Sequence, residues 1–343
     1  MLDAIRRRYP DAEISWIAEK RSAGILENNE LIDNLIQVDT RSLRGGKVIE
    51  SMLLDAAKQI KNLRQYDFDI AIDFQGLLKS GLIAKLSGAK KRWGFSRADL
   101  RESAARVFYT NTTKLPDRAH VIHRNLQLVS AALDFPTRND QIAFPIYTAD
   151  SHRTEASEIV SNADAEFAIL NPAGGWVTKL WPAEKFGELA DRLWETLGMR
   201  SVIVTGPKEA DLAAVVMKAS RSGSLMRAEP SLKGFYELAR LARVYVGGDT
   251  GPTHLAIAAG APVVGLFGPT EWWRNGSLNP DDICVERNDI DCRVDCHRRS
   301  CSKWICMESS VETVFQACMQ RLGKAAGHSV YKRPLGHKHP AVN

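Results

Sequence analysis

The sequence predicts two α/β domains in series, each built on a doubly wound parallel sheet. Apolar runs of strand length alternate with amphipathic helical patterns along most of the chain, which favours parallel sheets covered by helices. The 343 residues are too many for one hydrophobic core of ordinary size. The alternation stops in the polar stretch 137–153. We therefore predict a first domain over 1–148, a second over 149–325 and a basic tail over 326–343.

The first domain begins with a helical pattern rather than a strand. Helices are predicted over 2–9, 49–64, 78–87 and 121–134. Strands are predicted over 14–19, 35–39, 68–74 and 91–95. Since a doubly wound domain ordinarily opens on its central strand, we expect the native start to lie upstream, with this domain's first strand missing from the sequence.

The second domain repeats the alternation after the polar stretch. Strands are predicted over 166–172, 200–206, 244–248 and 262–268. Helices are predicted over 183–197, 208–221, 231–241 and 252–259.

Composition places the chain among soluble globular proteins. Hydrophobic residues make up 44% and charged residues 25%, and no run approaches the roughly 18 apolar residues of a membrane span. No secretory signal is visible, so we expect a cytoplasmic protein. The net charge of +5 suits an anionic ligand or membrane surface, although a generic solvated surface explains it as well. There is no basic stripe interleaved with aromatic residues, which argues against nucleic acid.

The stretch VYVGGDTGPTHLAIAAGAPVVGLFGPT, residues 244–270, has the features of an anion site. A strand ends in glycines, Asp249 follows, and Gly251 and Pro252 begin a helix, whose first amides attract phosphate. Asp249 suits ribose or sugar hydroxyls. The alternative is a capped turn with a solvent-facing aspartate. His254, one turn into the helix, is more often a packing or hydrogen-bonding residue than a general base.

A second stretch, LNPAGGWVTKLWP at 170–182, also follows a predicted strand. Gly174 and Gly175 let a ligand approach the backbone, and Lys179 supplies a mobile cation. Two such turns in one domain indicate a diphosphate ligand. Neither is a G-x-G-x-x-G fingerprint or a P-loop, which argues against a dehydrogenase or an ATPase.

A third strand-to-helix turn, TGPKEADL at 205–212, carries Glu209. Its carboxylate could accept ribose hydroxyls or act as an acidic partner of the helix dipole.

The first domain offers polar and cationic groups for an acidic acceptor. They lie in IDFQGLLKSGLIA at a strand end and in the stretches 97–111 and 118–128. Solvated helix faces would explain about half of them. The candidate acceptor-binding residues are Gln75, Lys79, Arg101, His120 and Arg124.

Together these stretches resemble glycosyltransferase family 9, the ADP-heptose:lipopolysaccharide heptosyltransferases. The resemblance rests on GGDTGPTHLAIAAGAPVVGLFGPT, KLWPAEKFGELA, IDFQGLLKSGLIA and RESAARVFY, and covers about residues 1–322. The last two stretches resemble heptosyltransferase I in particular. The resemblance implies a GT-B fold, with two Rossmann-like domains facing across a cleft. It also implies inverting transfer of heptose from ADP-heptose to the Kdo/heptose inner core of lipopolysaccharide, with no cofactor and no required metal.

The resemblance further implies roles for single residues. Lys179 resembles the phosphate-contacting lysine, Asp249 the acid of the D-[ST]-G-x-x-H motif that binds the sugar, and Glu209 a ribose-contacting glutamate. The residues implied at the donor diphosphate are Gly174, Gly175, Lys179, Thr250, Gly251, Thr253 and His254. An acceptor of the Kdo–lipid A type implies peripheral contact with the cytoplasmic face of the inner membrane.

The general base is the point where the sequence departs from the family pattern. Family members carry a G-D pair after their first strand, and its aspartate is taken as the base. Asp3 lies in a helical pattern and does not match that position. We therefore name no catalytic residue, and expect donor binding with little or no catalysis from the chain as written.

Four of the six cysteines are clustered near the end of the second domain, at Cys292, Cys296, Cys301 and Cys306. The spacing is close to that of a four-thiolate metal site but lacks the paired C-x2-C arrangement. A reduced or redox-labile thiol loop is the preferred interpretation, and no resident metal is predicted.

Two other functions remain open from the sequence. One is another nucleotide-sugar enzyme of the GT-B type, such as an epimerase. The other is a catalytically silent nucleotide-sugar-binding protein.

Overall fold

The computed structural model describes residues 1–38, 63–137, 142–161, 166–294 and 296–327. The chain divides into two compact units, Met1–Tyr147 and the residues from Thr148 onward. Every strand pairing in the described residues is parallel, which confirms the predicted α/β class. The predicted helix 49–64 and the predicted tail 326–343 lie almost wholly outside the described residues.

The described residues of the first unit form two separate parallel sheets. One pairs β1 (Ser15–Glu19) with β2 (Asn34–Val38), and the other has the order β3 (Ile70–Ile72), β4 (Lys91–Phe95), β5 (Asn111–Thr113). The helices that lie wholly within its described residues are α1 (Leu2–Arg8), α2 (Lys20–Ala23), α3 (Leu78–Leu86) and α4 (Val121–Leu133). The strand β5 and a 3-10 turn at Ser103–Phe108 were not predicted. A three-residue polar strand such as Asn-Thr-Thr carries too little apolar pattern to be recognised.

Where the structure describes the second unit, its strands form one six-stranded sheet with helices in the connections. Its strands are β6 (Phe167–Asn171), β7 (Arg200–Val204), β8 (Leu225–Ala228), β9 (Val244–Gly248), β10 (Val263–Leu266) and β11 (Ile283–Val285). Its helices are α5 (Asp150–Val160), α6 (Ala183–Leu197), α7 (Ala210–Ala219), α8 (Leu232–Leu241), α9 (Gly251–Ala259), α10 (Trp272–Asn275) and α11 (Val311–Gly327).

The strand order of this sheet is β11-β10-β9-β6-β7-β8. The first strand of the unit is therefore central, and the winding reverses between β6 and β9, as in a Rossmann fold. Both of these strands are buried along their whole length, because helices cover both faces of the sheet. Phe186 and Leu189 of α6 pack on one face, and Phe235 and Leu238 of α8 pack on the other.

Several elements of the second unit were not predicted. The helix α5 begins inside the polar stretch 137–153, where the domain boundary was predicted. It has few apolar residues, so its hydrophobic periodicity is weak. Contacts outside the helix help to hold it, since the Glu155 carboxylate accepts hydrogen bonds from the Ser231 amide at 2.7 Å and hydroxyl at 2.6 Å. The helix α11 continues two residues past 325. The other unpredicted elements are β8, β11 and α10.

Close packing of α6 against α7 depends on Gly187. A Cβ atom placed there would lie 2.6 Å from the Val216 carbonyl oxygen and 2.8 Å from the Ala219 Cβ. We expect Gly187→Ala to lower the free energy of unfolding by about 1–3 kcal/mol, measured by urea denaturation, because the two helices must move apart. The control is Gly323→Ala in α11, where a Cβ would meet nothing within 4 Å. Equal stabilities of the two variants would contradict this account.

Candidate functional site

The two glycine turns predicted as anion sites lie side by side in the second unit. They follow β6 and β9, which are paired neighbours, with Asn171 opposite Gly247. In doubly wound sheets, ligands bind beyond the carboxyl ends of the strands, at the point where the strand order reverses. The structure thus brings both turns to the expected ligand-binding position of a Rossmann-like sheet.

The turns approach each other closely because glycines line them. A Cβ atom on Gly248 would lie 3.0 Å from the Lys179 carbonyl oxygen. A Cβ on Gly174 would lie 2.9 Å from Leu180 Cδ2 and 3.6 Å from Thr250 Cγ2. Gly175 is exposed, and a Cβ there would meet nothing within 4 Å. Gly248 therefore permits the contact between the turns, Gly174 permits the close approach of Leu180 within its own turn, and Gly175 marks the open side.

Lys179 and Asp249 form a buried ion pair between the turns. Lys179 ends a 3-10 turn, Val177–Lys179, and its Nζ lies 2.6 Å from Asp249 Oδ2 and 3.2 Å from the Asp249 carbonyl oxygen. The two side chains are only 13% and 6% exposed. The lysine expected to be mobile is instead held by this carboxylate.

Two further side chains fix the Asp249 carboxylate. His254 Nε2 lies 3.4 Å from Oδ1, and Asn275 Nδ2 donates to Oδ2 at 3.3 Å. Burial alone would raise the pKa of Asp249, but the hydrogen bond from His254 and the charge and hydrogen bond of Lys179 outweigh it. The pKa therefore lies well below its usual value, and the group is an anion at neutral pH. A carboxylate has about four lone-pair positions, so Asp249 can also accept a hydroxyl of a ligand.

The lowered pKa of Asp249 predicts how stability changes with pH. A carboxyl group whose folded pKa is depressed stabilises the protein fully above its usual value of 3.8, and this stabilisation is lost as the pH falls below that value. We expect the unfolding free energies of the unaltered protein and Asp249→Asn to differ most at pH 7. The difference should shrink below about pH 4, because a protonated aspartate resembles asparagine. A gap that stays constant from pH 7 to pH 3 in denaturant titrations would contradict the ion pair.

The first turn of α9 directly follows Asp249 and so begins beside the Lys179–Asp249 pair. Thr250 precedes the helix in an extended conformation, no side chain caps the helix, and Pro252 lies in its first turn. The Thr253 hydroxyl donates to the Gly248 carbonyl oxygen and lies 3.0 Å from the Tyr245 hydroxyl. The buried side chain of Thr253 thus holds the turn internally, whereas the uncapped helix start provides the positive end of a helix dipole.

Glu209 lies in the turn after β7, the other neighbour of β6. Its Oε2 accepts a hydrogen bond from the Gly206 amide at 2.7 Å. The side chain therefore closes its own turn at the head of α7, and both roles considered for it, ribose contact and helix partner, remain predictions.

The sequence predictions missed two residues that contact the pair. The Lys179 Nζ lies 4.3 Å from the ring centroid of Trp176, which stands in the glycine turn itself. An aromatic residue between the glycines and the lysine was a visible signal for this cation–π contact. Asn275 comes from α10, and no sequence spacing connects it to Asp249.

The carboxyl end of β3 in the first unit is organised by Asp73. Its buried carboxylate accepts hydrogen bonds from the Gln75 amide at 2.8 Å, the Ser80 hydroxyl at 2.7 Å and the Tyr109 hydroxyl at 2.7 Å. Burial and this bond to Asp73 raise the pKa of Tyr109. These contacts give Asp73 a structural role in shaping the turn that carries Gln75 and Lys79.

The predicted acceptor residues occupy that turn and its surroundings. Gln75, Lys79 and Arg101 are exposed, and the Lys79 Nζ lies 2.5 Å from the Glu19 carboxylate. Arg124 donates to the Asp99 carbonyl oxygen at 3.0 Å and stacks on Phe95. His120 is buried and caps α4, its Nδ1 accepting from the Ile122 amide at 3.2 Å.

The clustered cysteines do not form a metal centre in the described residues. All four are free thiols, with Cys292 exposed and the other three half-buried. No group of three His, Cys, Asp or Glu side chains in the described ranges is arranged to hold an ion. The four-thiolate site therefore gains no geometric support and stays a sequence hypothesis.

Within the described ranges, none of the helices has the length and apolar character to cross a membrane.

Two parallel α/β units, the second with paired glycine turns at its reversal point, are the domains that make up a GT-B fold. The model of glycosyltransferase family 9 (heptosyltransferase) matches residues 56–305, and the chain belongs to this family. This confirms the predicted family and enzyme class.

Individual relatives agree with the family. Lipopolysaccharide heptosyltransferase 1 of Pseudomonas aeruginosa is 27% identical over 297 residues, which cover 86% of this chain and 81% of that protein. Lipopolysaccharide heptosyltransferase 1 of Campylobacter coli is 25% identical over 80% of both chains. Among solved structures, E. coli heptosyltransferase WaaC with ADP has a TM-score of 0.74 at 21% identity and covers 93% of both chains. This last likeness confirms the fold.

Proposed function

We propose that this protein transfers heptose from ADP-heptose to the Kdo/heptose inner core of lipopolysaccharide, with inversion at the anomeric carbon. The observation that carries the proposal is the buried pair of Lys179 and Asp249 between two glycine turns at the reversal point of the second sheet. Because the chain belongs to a heptosyltransferase family, heptose is the sugar to test first. Two relatives bear the name heptosyltransferase 1, which favours addition of the first heptose.

The second unit would bind the donor through three kinds of contact. The uncapped start of α9 and the Lys179 ammonium meet the diphosphate, and they stabilise the charge that develops on ADP as it leaves. The Asp249 carboxylate accepts sugar hydroxyls, while Glu209 accepts those of the ribose. The hydrogen bond from His254 helps to keep Asp249 ionised, and the hydrogen bond from Asn275 helps to orient its carboxylate.

A diphosphate and Asp249 would compete for the same lysine. In the free protein, the carboxylate balances the buried ammonium at 2.6 Å. When the diphosphate binds, the ammonium is shared between two anions, and the carboxylate becomes available to hydroxyls. This exchange avoids leaving an unpaired buried charge in either state, which would be costly.

The first unit would bind the acceptor through the groups around the carboxyl end of β3. Five polar or cationic side chains there suit the carboxylates and phosphates of a Kdo–lipid A acceptor: Gln75, Lys79, Arg101, His120 and Arg124. Such an acceptor places the enzyme at the cytoplasmic face of the inner membrane, in peripheral contact with it. We assign no residue as the general base.

The test is a transfer reaction with the purified protein. It is incubated with ADP-heptose and Kdo–lipid A, and the acceptor is analysed by mass spectrometry. The proposal predicts a mass increase of one heptose with equimolar release of ADP. Turnover of a UDP-sugar instead would assign a different donor, and ADP release without a heavier acceptor would contradict transfer. Donor binding without turnover would favour the silent binding protein.

A further inference from the structure

A second cation contacts the same indole ring as Lys179, and it comes from the loop that contains the clustered cysteines. The Arg299 guanidinium carbon is 5.0 Å from the ring centroid of Trp176. The Lys179 Nζ is 4.3 Å from the same centroid. One indole therefore contacts both an ammonium and a guanidinium, although the two residues are 120 positions apart in the sequence.

The backbone next to Arg299 is anchored to the turn that carries Lys179. The Thr178 hydroxyl donates to the Arg298 carbonyl oxygen at 2.6 Å, and the Trp304 indole N–H donates to the Thr178 carbonyl oxygen at 3.1 Å. On the other side, the His297 amide donates to the Pro269 carbonyl oxygen at 2.9 Å. Arg299 is thus presented from a fixed backbone, and its position over Trp176 is not that of a loosely attached surface side chain.

Lys179 and Arg299 differ in whether their charge is already balanced by a carboxylate. Lys179 is already neutralised by Asp249 at 2.6 Å, whereas in the described part of the chain the exposed Arg299 side chain forms no ion pair. A diphosphate brings more negative charge than the shared lysine can balance. A guanidinium offers parallel N–H donors that match two phosphate oxygens. Stacking on an aromatic ring already restricts the orientation of the guanidinium, so less conformational entropy is lost when it binds the phosphates.

We propose that Arg299 is a second diphosphate-binding residue, held by Trp176 and delivered by the loop 297–304. The inference rests on the proposed function, because it places the donor diphosphate beside Lys179. It gives the cysteine-containing loop a role in donor binding that does not require a metal.

The experiment is a calorimetric titration of ADP and AMP into the unaltered protein, Arg299→Ala, Arg299→Lys and Arg298→Ala. Arg298 is the matched control, since it is an adjacent exposed arginine that contacts Thr178 through its backbone carbonyl oxygen. We expect Arg299→Ala to weaken ADP binding about 10- to 100-fold and AMP binding clearly less. We expect Arg299→Lys to recover part of the loss, and Arg298→Ala to stay within about threefold of the unaltered protein.

Two outcomes overturn the inference while leaving the proposed function intact. One is equal ADP affinity of Arg299→Ala and Arg298→Ala in a protein that binds ADP. The other is an equal loss for ADP and AMP. Failure of the unaltered, folded protein to bind ADP would instead overturn the proposed donor site itself. Unfolding curves of both alanine variants show whether a loss of binding reflects a loss of fold.

Discussion

Replacing Lys179 by alanine is expected to weaken ADP-heptose binding by about 10- to 150-fold. Hydrogen bonds to charged groups contribute about 1.5–3 kcal/mol, and the Lys179 ammonium joins the two glycine turns through its contacts with Asp249. Its side chain is only 13% exposed, so water screens the interaction poorly. The measurement is the dissociation constant from calorimetric titration. ADP should lose affinity by a similar factor, because the lysine is assigned to the diphosphate.

The control for this prediction is Lys218→Ala, which removes the same charge from an exposed position in the last turn of α7. Its affinity for ADP-heptose should match that of the unaltered protein. If Lys179→Ala binds as tightly as Lys218→Ala, the diphosphate does not lie beside Lys179.

The second large effect is expected for Asp249→Asn, which should separate binding of the sugar from binding of the nucleotide. Without the carboxylate, Lys179 is free to bind the diphosphate, so ADP affinity should be unchanged or higher. ADP-heptose should no longer bind more tightly than ADP, because the asparagine side chain is a weaker hydrogen-bond acceptor for the sugar hydroxyls than the carboxylate. The variant should also unfold more easily, by about 3 kcal/mol at pH 7, because breaking one half of a buried pair leaves an uncompensated charge. Titrations with both ligands and urea denaturation measure these effects.

A suitable control is Asp289→Asn, since Asp289 pairs with Arg287 at 2.6 Å but is 65% exposed. Its unfolding free energy and both affinities should stay unchanged, as is usual for a surface pair. A loss of ADP affinity in Asp249→Asn would mean that Asp249 supports the nucleotide site rather than the sugar.

The position of the candidate donor site could be predicted from the sequence because two short-range signals agreed. A strand ending in glycines, followed by an acid and a proline-headed helix, fixes the local conformation at 244–254 almost without tertiary information. The same holds for the glycines and lysine at 174–179. To predict that the two turns lie next to each other, only the parallel topology of the sheet was needed. The alternation of strands and helices indicated that topology.

Contacts between distant segments could not be predicted in this way. Asn275 contacts Asp249 from a four-residue helix, and Arg299 contacts Trp176 from an irregular loop; neither segment has a periodic pattern. The helix α5 was missed because its stability depends on contacts such as Glu155 with Ser231. For α11 the signal was present, since Ser310 caps its first turn and apolar residues recur at 314, 315, 318 and 322.

The central claim is an ADP-sugar site between the two glycine turns of the second unit. The most direct test is to titrate the unaltered protein with ADP-heptose, using UDP-glucose and GDP-mannose as competitors of the same charge. We predict saturable binding of ADP-heptose that neither competitor displaces at equal concentration. Tighter binding of either competitor, or no binding of ADP-heptose by a protein with a cooperative unfolding transition, would contradict the account.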